Sequence, residues 1–311
     1  MDSLQHGPSP LGRAFTHQSD LLPVYLLRFD RANTRKAYRR DLERFFGSSS
    51  VTLDLARAVT FPDVNRYIET LETAGRSPAT IRRNVVSLRG FFAWLVALGM
   101  LPLNPADRQL VRKIAAVRPQ DRHLTVLTRD EAARLVAAVD LEKETGPRDR
   151  ALVLTLLHCV LRRSEAAAMD FEHLRAAGPY WVLSLPATKG GADQSVKVPL
   201  HVVEAIDSVR EAYGYSGGPI WRSFSNNSSR GRRLSPSSVY TIVSRLARSA
   251  SIHAPVGAHT LRHTGCTLAI ENGASIQQVQ THARHKNVET TMMYLHQRDR
   301  LADSAADYID I

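Results

Sequence analysis

Six side chains in the latter half of the sequence are of types that can bind an anion, move a proton or attack an electrophile: Arg162, Lys189, His259, Arg262, His285 and Tyr294. Arg162 follows an apolar run, Ala151–Leu157, so its charge must either reach solvent or be paired, for example with Glu165. Lys189 precedes Gly190-Gly191, and a lysine on such a bend can point at phosphate or give up a proton. At helical spacing His259 shares a face with Arg262 and with His263. A zinc-protease helix would need a Glu directly after the first His, and this chain has Thr260. An anion clamp remains, with histidine as hydrogen-bond or proton donor and arginine as a forked ligand. His285 lies 23 residues beyond Arg262, and Tyr294 nine beyond His285. Taken singly, His285 is as well explained by capping and Tyr294 by packing.

The elements that must position these groups change character midway. Leu21–Phe29 is a short apolar segment; Asn33 is expected to cap a helix through Phe46, and Phe61–Gly75 and Ser77 onward read as two more. In the last, Ile81, Val85, Leu88, Phe91, Phe92 and Leu95 fall on one face and Arg82, Arg83 and Arg89 elsewhere. Gly99, Pro102, Asn104 and Pro105 close this bundle, and the basic stretch Arg108–Arg122 reads as a linker. Thr128 and Glu131 form a capping-box opening for a helix to about Val139, and another helix is expected over Asp149–Cys159. A short helix follows. Then Tyr180–Leu185 and Ser195–Leu200 read as a hairpin with Lys189 at its tip. Helices return at His201–Tyr213, Ser235–Ser249, His259–Glu271 and Ser275–Ala283, and Asn287–Thr291 looks like another helix start. The Ser/Asn/Arg-rich run Ser223–Arg233 reads as an exposed loop.

Composition narrows the partner. With 41 Lys and Arg against 30 Asp and Glu in 311 residues, the net charge is +11, which favours a polyanion. Nine basic residues between Arg76 and Arg122 face two acids, and seven arginines between Arg222 and Ile270 face none. Two basic tracts suit two surfaces on one duplex. Two cysteines, Cys159 and Cys266, allow neither a disulfide scaffold nor a multi-cysteine zinc site and fit a reducing cytoplasm. No apolar window is long enough to span a membrane, and Met1–Gln18 lacks the order of a secretory signal.

In order and interval, Arg162, Lys189, His259, Arg262, His285 and Tyr294 resemble the catalytic set of the tyrosine recombinases, or phage-type integrases. Leu127–Asp130 and Val198-Pro199-Leu200 are similar to that family's domain opening and second strand ending. Three positions depart from its commoner form. Val160 stands where glycine is usual, Arg163 where an apolar residue is common, and Ala283-Arg284 precedes His285 in place of Leu-Gly.

The resemblance implies a mainly α fold with a small antiparallel β element, made of a helical core-binding bundle and an α+β catalytic domain that together form a C-shaped DNA clamp. The corresponding boundaries are an N-terminal arm over 1–17, the bundle over 18–107, a basic linker over 108–124, the catalytic domain over 125–300 and a tail over 301–311. The implied reaction is site-specific recombination of double-stranded DNA through a 3′-phosphotyrosyl link. Tyr294 would be the nucleophile, with Arg162, Arg262 and His285 on the phosphate, His259 serving the tyrosine and Lys189 protonating the leaving oxygen. It needs neither cofactor nor metal, because bond energy is kept in the link. Arg82, Arg83, Arg89, Arg230, Arg232, Arg233 and Arg245 are candidate DNA contacts, and a tetramer on paired sites the expected assembly, with the tail packing on a neighbouring subunit or on its own domain. The alternatives are a topoisomerase or end-resolving enzyme with the same tyrosine chemistry, and a non-catalytic DNA-binding accessory protein.

Overall fold

The computed structural model describes residues 19–114, 125–185, 194–225, 229–285, 287 and 291. The chain divides into two compact units, residues 1–118 and 119–311.

In the first unit five helices follow one another: α1 Leu21–Leu26, α2 Ala32–Phe46, α3 Leu53–Arg57, α4 Phe61–Thr73 and α5 Pro78–Ala97. Pro62 and Pro78 sit in first turns, where a missing N–H costs nothing, and Ser77 accepts the Thr80 N–H at the start of α5. The apolar face expected on α5 is buried throughout and packs on α2 and α4. Tyr25, Phe91 and Phe92 are fully buried among edge-on aromatic contacts. Two details differ from the sequence expectation. α2 begins at Ala32, so Asn33 lies inside its first turn, and Arg31 at the cap makes no side-chain cap bond. α3 was not expected: it is a five-residue turn stabilised by Thr52 accepting the Leu55 N–H. The start of the expected linker is packed: Val111 is buried in this unit's core, and Arg112 pairs with Glu69 and Glu72 of α4.

The second unit is built around α7, Gly146–His158, in which every residue from Ala151 to Leu157 is buried. Around it lie α6 Arg129–Ala137, α8 Arg163–Ala167, α9 Leu200–Tyr213, α10 Pro236–Ser249, α11 Ala258–Glu271 and α12 Ile276–Ala283. The Thr128–Glu131 capping box is formed. α7 starts at Gly146, three residues before the expected Asp149, because Pro147 takes the first turn and Asp149 supplies the acid there. The expected hairpin is present as β2 Tyr180–Leu185 and β3 Gln194–Val198, with Leu183 opposite Val196. A third strand, β1 Leu174–Ala177, extends it to an antiparallel sheet in the order β1-β2-β3 through a turn at Gly178, whose φ is +58°. Four residues ending in Ala-Ala carry no alternation, so β1 left no signal in the sequence. Among the described residues, no helix is long and apolar enough to cross a membrane.

Candidate active site

The site lies in the second unit and is assembled from three separated segments: the loop between α7 and α8, the first turns of α11, and the residues that end α12. Four of the six candidates are described, and these come together. Lys189 and Tyr294 lie outside the described residues, as do the arm over 1–17, the tail over 301–311 and most of the expected helix start at Asn287–Thr291.

Arg162 is the N-cap of α8. Glu165, three residues on, accepts the Arg162 backbone N–H at 2.8 Å and the guanidinium at 2.6 Å. The Arg162–Glu165 ion pair is therefore present, yet it leaves the Arg162 side chain 40% exposed while Glu165 is buried. Burial works against the Glu165 charge, but the Arg162 N–H, Arg284 and the Arg162 guanidinium outweigh it and hold the carboxyl below its usual range.

Arg262 projects from the second turn of α11 into the interior, where it is almost wholly buried. Its two terminal nitrogens donate to the carbonyls of Val160 and Ala283, which tie α11 to the loop after α7 and to the end of α12. Burial, then the nearby Arg162 and Arg284, lowers its pKa to about 10, which still leaves it charged at neutral pH. A close approach of α11 to α7 makes this reach possible. A Cβ at Gly265 would collide with the Leu157 carbonyl oxygen.

His259 is exposed in the first turn of α11, and its ring lies 5.9 Å from that of His263, one turn further along the helix. Although the residue as a whole is exposed, partial burial of its ring, then Arg262 and Arg162, lowers its pKa. His285 follows α12, its backbone N–H bonded to the Gln280 carbonyl and its Nδ1 2.9 Å from the hydroxyl of buried Thr291. Burial, then Arg262 and Arg162, brings its pKa down to about 4. His259 and His285 thus both feel Arg162 and Arg262, and all four groups share one electrostatic site. Two guanidinium ions beside imidazoles of lowered pKa are an arrangement that can hold an anion, with proton acceptors beside it. Among the described residues no three His, Cys, Asp or Glu side chains gather to hold a metal.

Val160 and Arg284, which in the sequence stand out only as departures from the family pattern, lie at this site. Both have positive φ, +43° and +57°, in the region that glycine occupies without strain. Their carbonyl and side-chain contacts make them part of the site. The signal was their position, one immediately before Leu161-Arg162 and the other immediately before His285.

Of the candidate DNA-contacting arginines, Arg83 pairs with buried Asp41, and Arg89 donates to the Ala106 carbonyl. Arg82 bonds the Pro78 carbonyl within its own helix, and Arg230 pairs with Glu144. Arg233 binds Asp170, and Arg245 binds Asp149. Arg232 is exposed in the loop before α10.

A helical bundle followed by this α+β unit, in which two arginines and two histidines gather, has the organisation of a tyrosine-type recombinase. Residues 125–300 match the phage integrase family, and residues 25–99 match the phage integrase N-terminal SAM-like domain. The chain belongs to the phage integrase family. It is 28% identical over 282 residues to tyrosine recombinase XerC of Thermodesulfovibrio yellowstonii, covering 88% of each chain. It is 29% identical to tyrosine recombinase XerD of Listeria monocytogenes, covering 85% of this chain and 88% of that one. In fold it is similar to XerH site-specific recombinase bound to palindromic difH substrate, with a TM-score of 0.70 at 17% identity over 88% of this chain and 79% of that one. It is also similar to a lambda integrase tetramer bound to a Holliday junction, with a TM-score of 0.69 at 18% identity over 94% of this chain and 83% of that one.

Proposed function

We propose that this recombinase cleaves and rejoins double-stranded DNA at specific sites through a 3′-phosphotyrosyl intermediate on Tyr294, in support of DNA integration, excision or resolution. The observation that carries the reading is the gathering of Arg162, His259, Arg262 and His285 from distant segments into one cationic site.

Phosphodiester transfer needs a nucleophile, compensation for charge on the non-bridging oxygens and a proton for the leaving oxygen. Arg162 and Arg262 grip the phosphate oxygens and His285 adds a donor. The Tyr294 hydroxyl, with a free pKa of ~10, loses its proton to His259 as its oxygen attacks phosphorus. Lys189 protonates the departing 5′ oxygen. The bond to that oxygen breaks as the phosphotyrosyl bond forms, and attack by a 5′-hydroxyl reverses the step. The fall in the His259 pKa suits a base that is neutral before DNA binds.

In this reading both the bundle over 18–107 and the catalytic region over 125–300 contact the duplex. The assembly is a tetramer on paired sites; lambda integrase, of similar fold, is a tetramer bound to a Holliday junction.

The test uses DNA nicked beside the crossover point, which traps the adduct by releasing the short end. A covalent protein–DNA band is expected on a denaturing gel, lost in Tyr294→Phe and kept in Tyr308→Phe. Arg162→Ala and Arg262→Ala are expected to bind DNA but cleave slowly, each by ~3–4 kcal/mol of lost transition-state stabilisation. Wild-type protein that binds duplex without ever forming the adduct would make this an accessory DNA-binding protein instead.

A further inference from the structure

The Arg284 side chain has no place in the chemistry above, yet it is costly to hold where it is. Its backbone sits at φ +57°, as the left-handed residue that ends α12. For a residue with a side chain this backbone conformation is strained. The side chain is only 5% exposed, and its buried Nε has no hydrogen-bond partner among the described residues. A charged group kept under such conditions must be held by strong partners.

Those partners are parts of the cationic site. One terminal nitrogen of Arg284 donates to Glu165 Oε2 at 2.9 Å, and the other donates to the His282 carbonyl at 2.9 Å. The first also lies 3.5 Å from the Val160 carbonyl oxygen, the same atom that receives Arg262. Glu165 is therefore bridged by two arginines: Arg162, which reaches solvent, and Arg284, which does not. In this chain the Glu165 carboxylate offsets part of the Arg162 charge, and Arg284 supplies a second cation against it. With Arg284, the three groups together keep one positive charge, and the carboxylate that orients Arg162 is itself fixed.

We propose that Arg284 is a positioning residue for DNA cleavage, which acts through Glu165 to keep the charge and orientation of Arg162 available to the scissile phosphate. This rests on the phosphotyrosyl reading, and the experiment separates the two.

Adduct formation on the nicked substrate at saturating DNA is measured beside duplex affinity and thermal stability. The variants are Arg284→Gly, Arg284→Lys, Glu165→Gln and the double variant Arg284→Gly/Glu165→Gln. Glycine suits the backbone at this position, so Arg284→Gly removes the side chain while relieving the strained φ. It is expected to stay folded, to keep duplex affinity within about threefold and to slow adduct formation by on the order of 10–100-fold, the scale of a misplaced reacting geometry. Arg284→Lys restores part of that rate. In the Glu165→Gln background, where there is no carboxylate charge to offset, the glycine substitution costs far less. Wild-type cleavage by Arg284→Gly, an undiminished cost in the Glu165→Gln background, or a defect confined to duplex affinity would each overturn the proposal. Wild-type protein that forms no adduct would instead remove the functional reading, and the role of Arg284 with it.

Discussion

His263 and His285 show how an arginine-rich site sets the charge of its neighbours. Burial, then His259 and Arg262, brings His263 to about 4, and burial, then Arg262 and Arg162, does the same for His285. In an unfolded chain each would titrate at ~6.5. Between these values the unfolded state binds more protons than the folded one, so stability falls as pH drops from about 6.5 toward 4. Calorimetric melting temperatures from pH 7.5 down to 4.5 should decline through this window, and the decline should be shallower in a His263→Gln/His285→Gln variant. An equal decline in that variant would show that these imidazoles do not carry the effect. Val160 illustrates another residue-scale balance. A β-branched residue at φ +43° is strained by roughly 1–3 kcal/mol. Its side chain, 2% exposed beside Cys266, Ile270, Val279 and Ala283, recovers a similar amount by burial, roughly 1.5–3 kcal/mol. The substitution at a position suited to glycine is thus compatible with the fold, and its carbonyl still meets Arg262.

At the scale of elements, the site depends on how closely α11 lies against α7. A Cβ at Gly265 would collide with the Leu157 carbonyl oxygen and would meet a Val160 methyl at 2.8 Å. Backbone cannot yield as a flexible side chain does, so Gly265→Ala must push the two helices apart. Overpacking of this kind costs about 1–3 kcal/mol, and it displaces the helix that carries His259 and Arg262. A melting temperature lower by several degrees, together with slowed adduct formation, is the expected outcome. Gly214→Ala is the control: its φ is +64° with open space around it, so only backbone strain is added, at the end of α9 and outside the segments that build the site. If both variants melt alike and cleave alike, the close helix approach has no special role. The helices themselves were legible in the sequence because their apolar faces recur at helical spacing and Thr128, Ser77 and the first-turn prolines mark their starts. α3 and β1 were not legible, since five and four residues are too short to show a period. The arginines and histidines of the site could be picked out by type and order. The Arg284–Glu165–Arg162 bridge could not, because it joins side chains 119 residues apart through a backbone conformation that sequence does not reveal.

For the whole molecule, the excess of positive charge is not equally available to DNA. Arg83, Arg89, Arg233 and Arg245 each hold a carboxylate or carbonyl of the protein itself, so a phosphate must share or displace those bonds. Arg83 is the sharpest case. Its partner Asp41 is buried, and burial raises the Asp41 pKa against the opposing pull of Arg83, Arg40 and Arg44. Removing Arg83 strands a buried carboxyl, and a loss of about 1–3 kcal/mol of stability is expected from Arg83→Ala. Arg232 is exposed, and no side-chain partner engages it among the described residues. Charge that is not committed within the fold is charge that can release counterions from a duplex. Arg232→Ala should therefore leave the melting temperature unchanged, weaken duplex binding whatever the DNA sequence, and reduce the slope of log affinity against log salt by ~1. Titrations of labelled duplex from 50 to 200 mM salt, a range of ~10³–10⁵ in affinity for a protein with several phosphate contacts, would resolve that change. An unaltered slope in Arg232→Ala would move the DNA-facing surface away from the loop before α10.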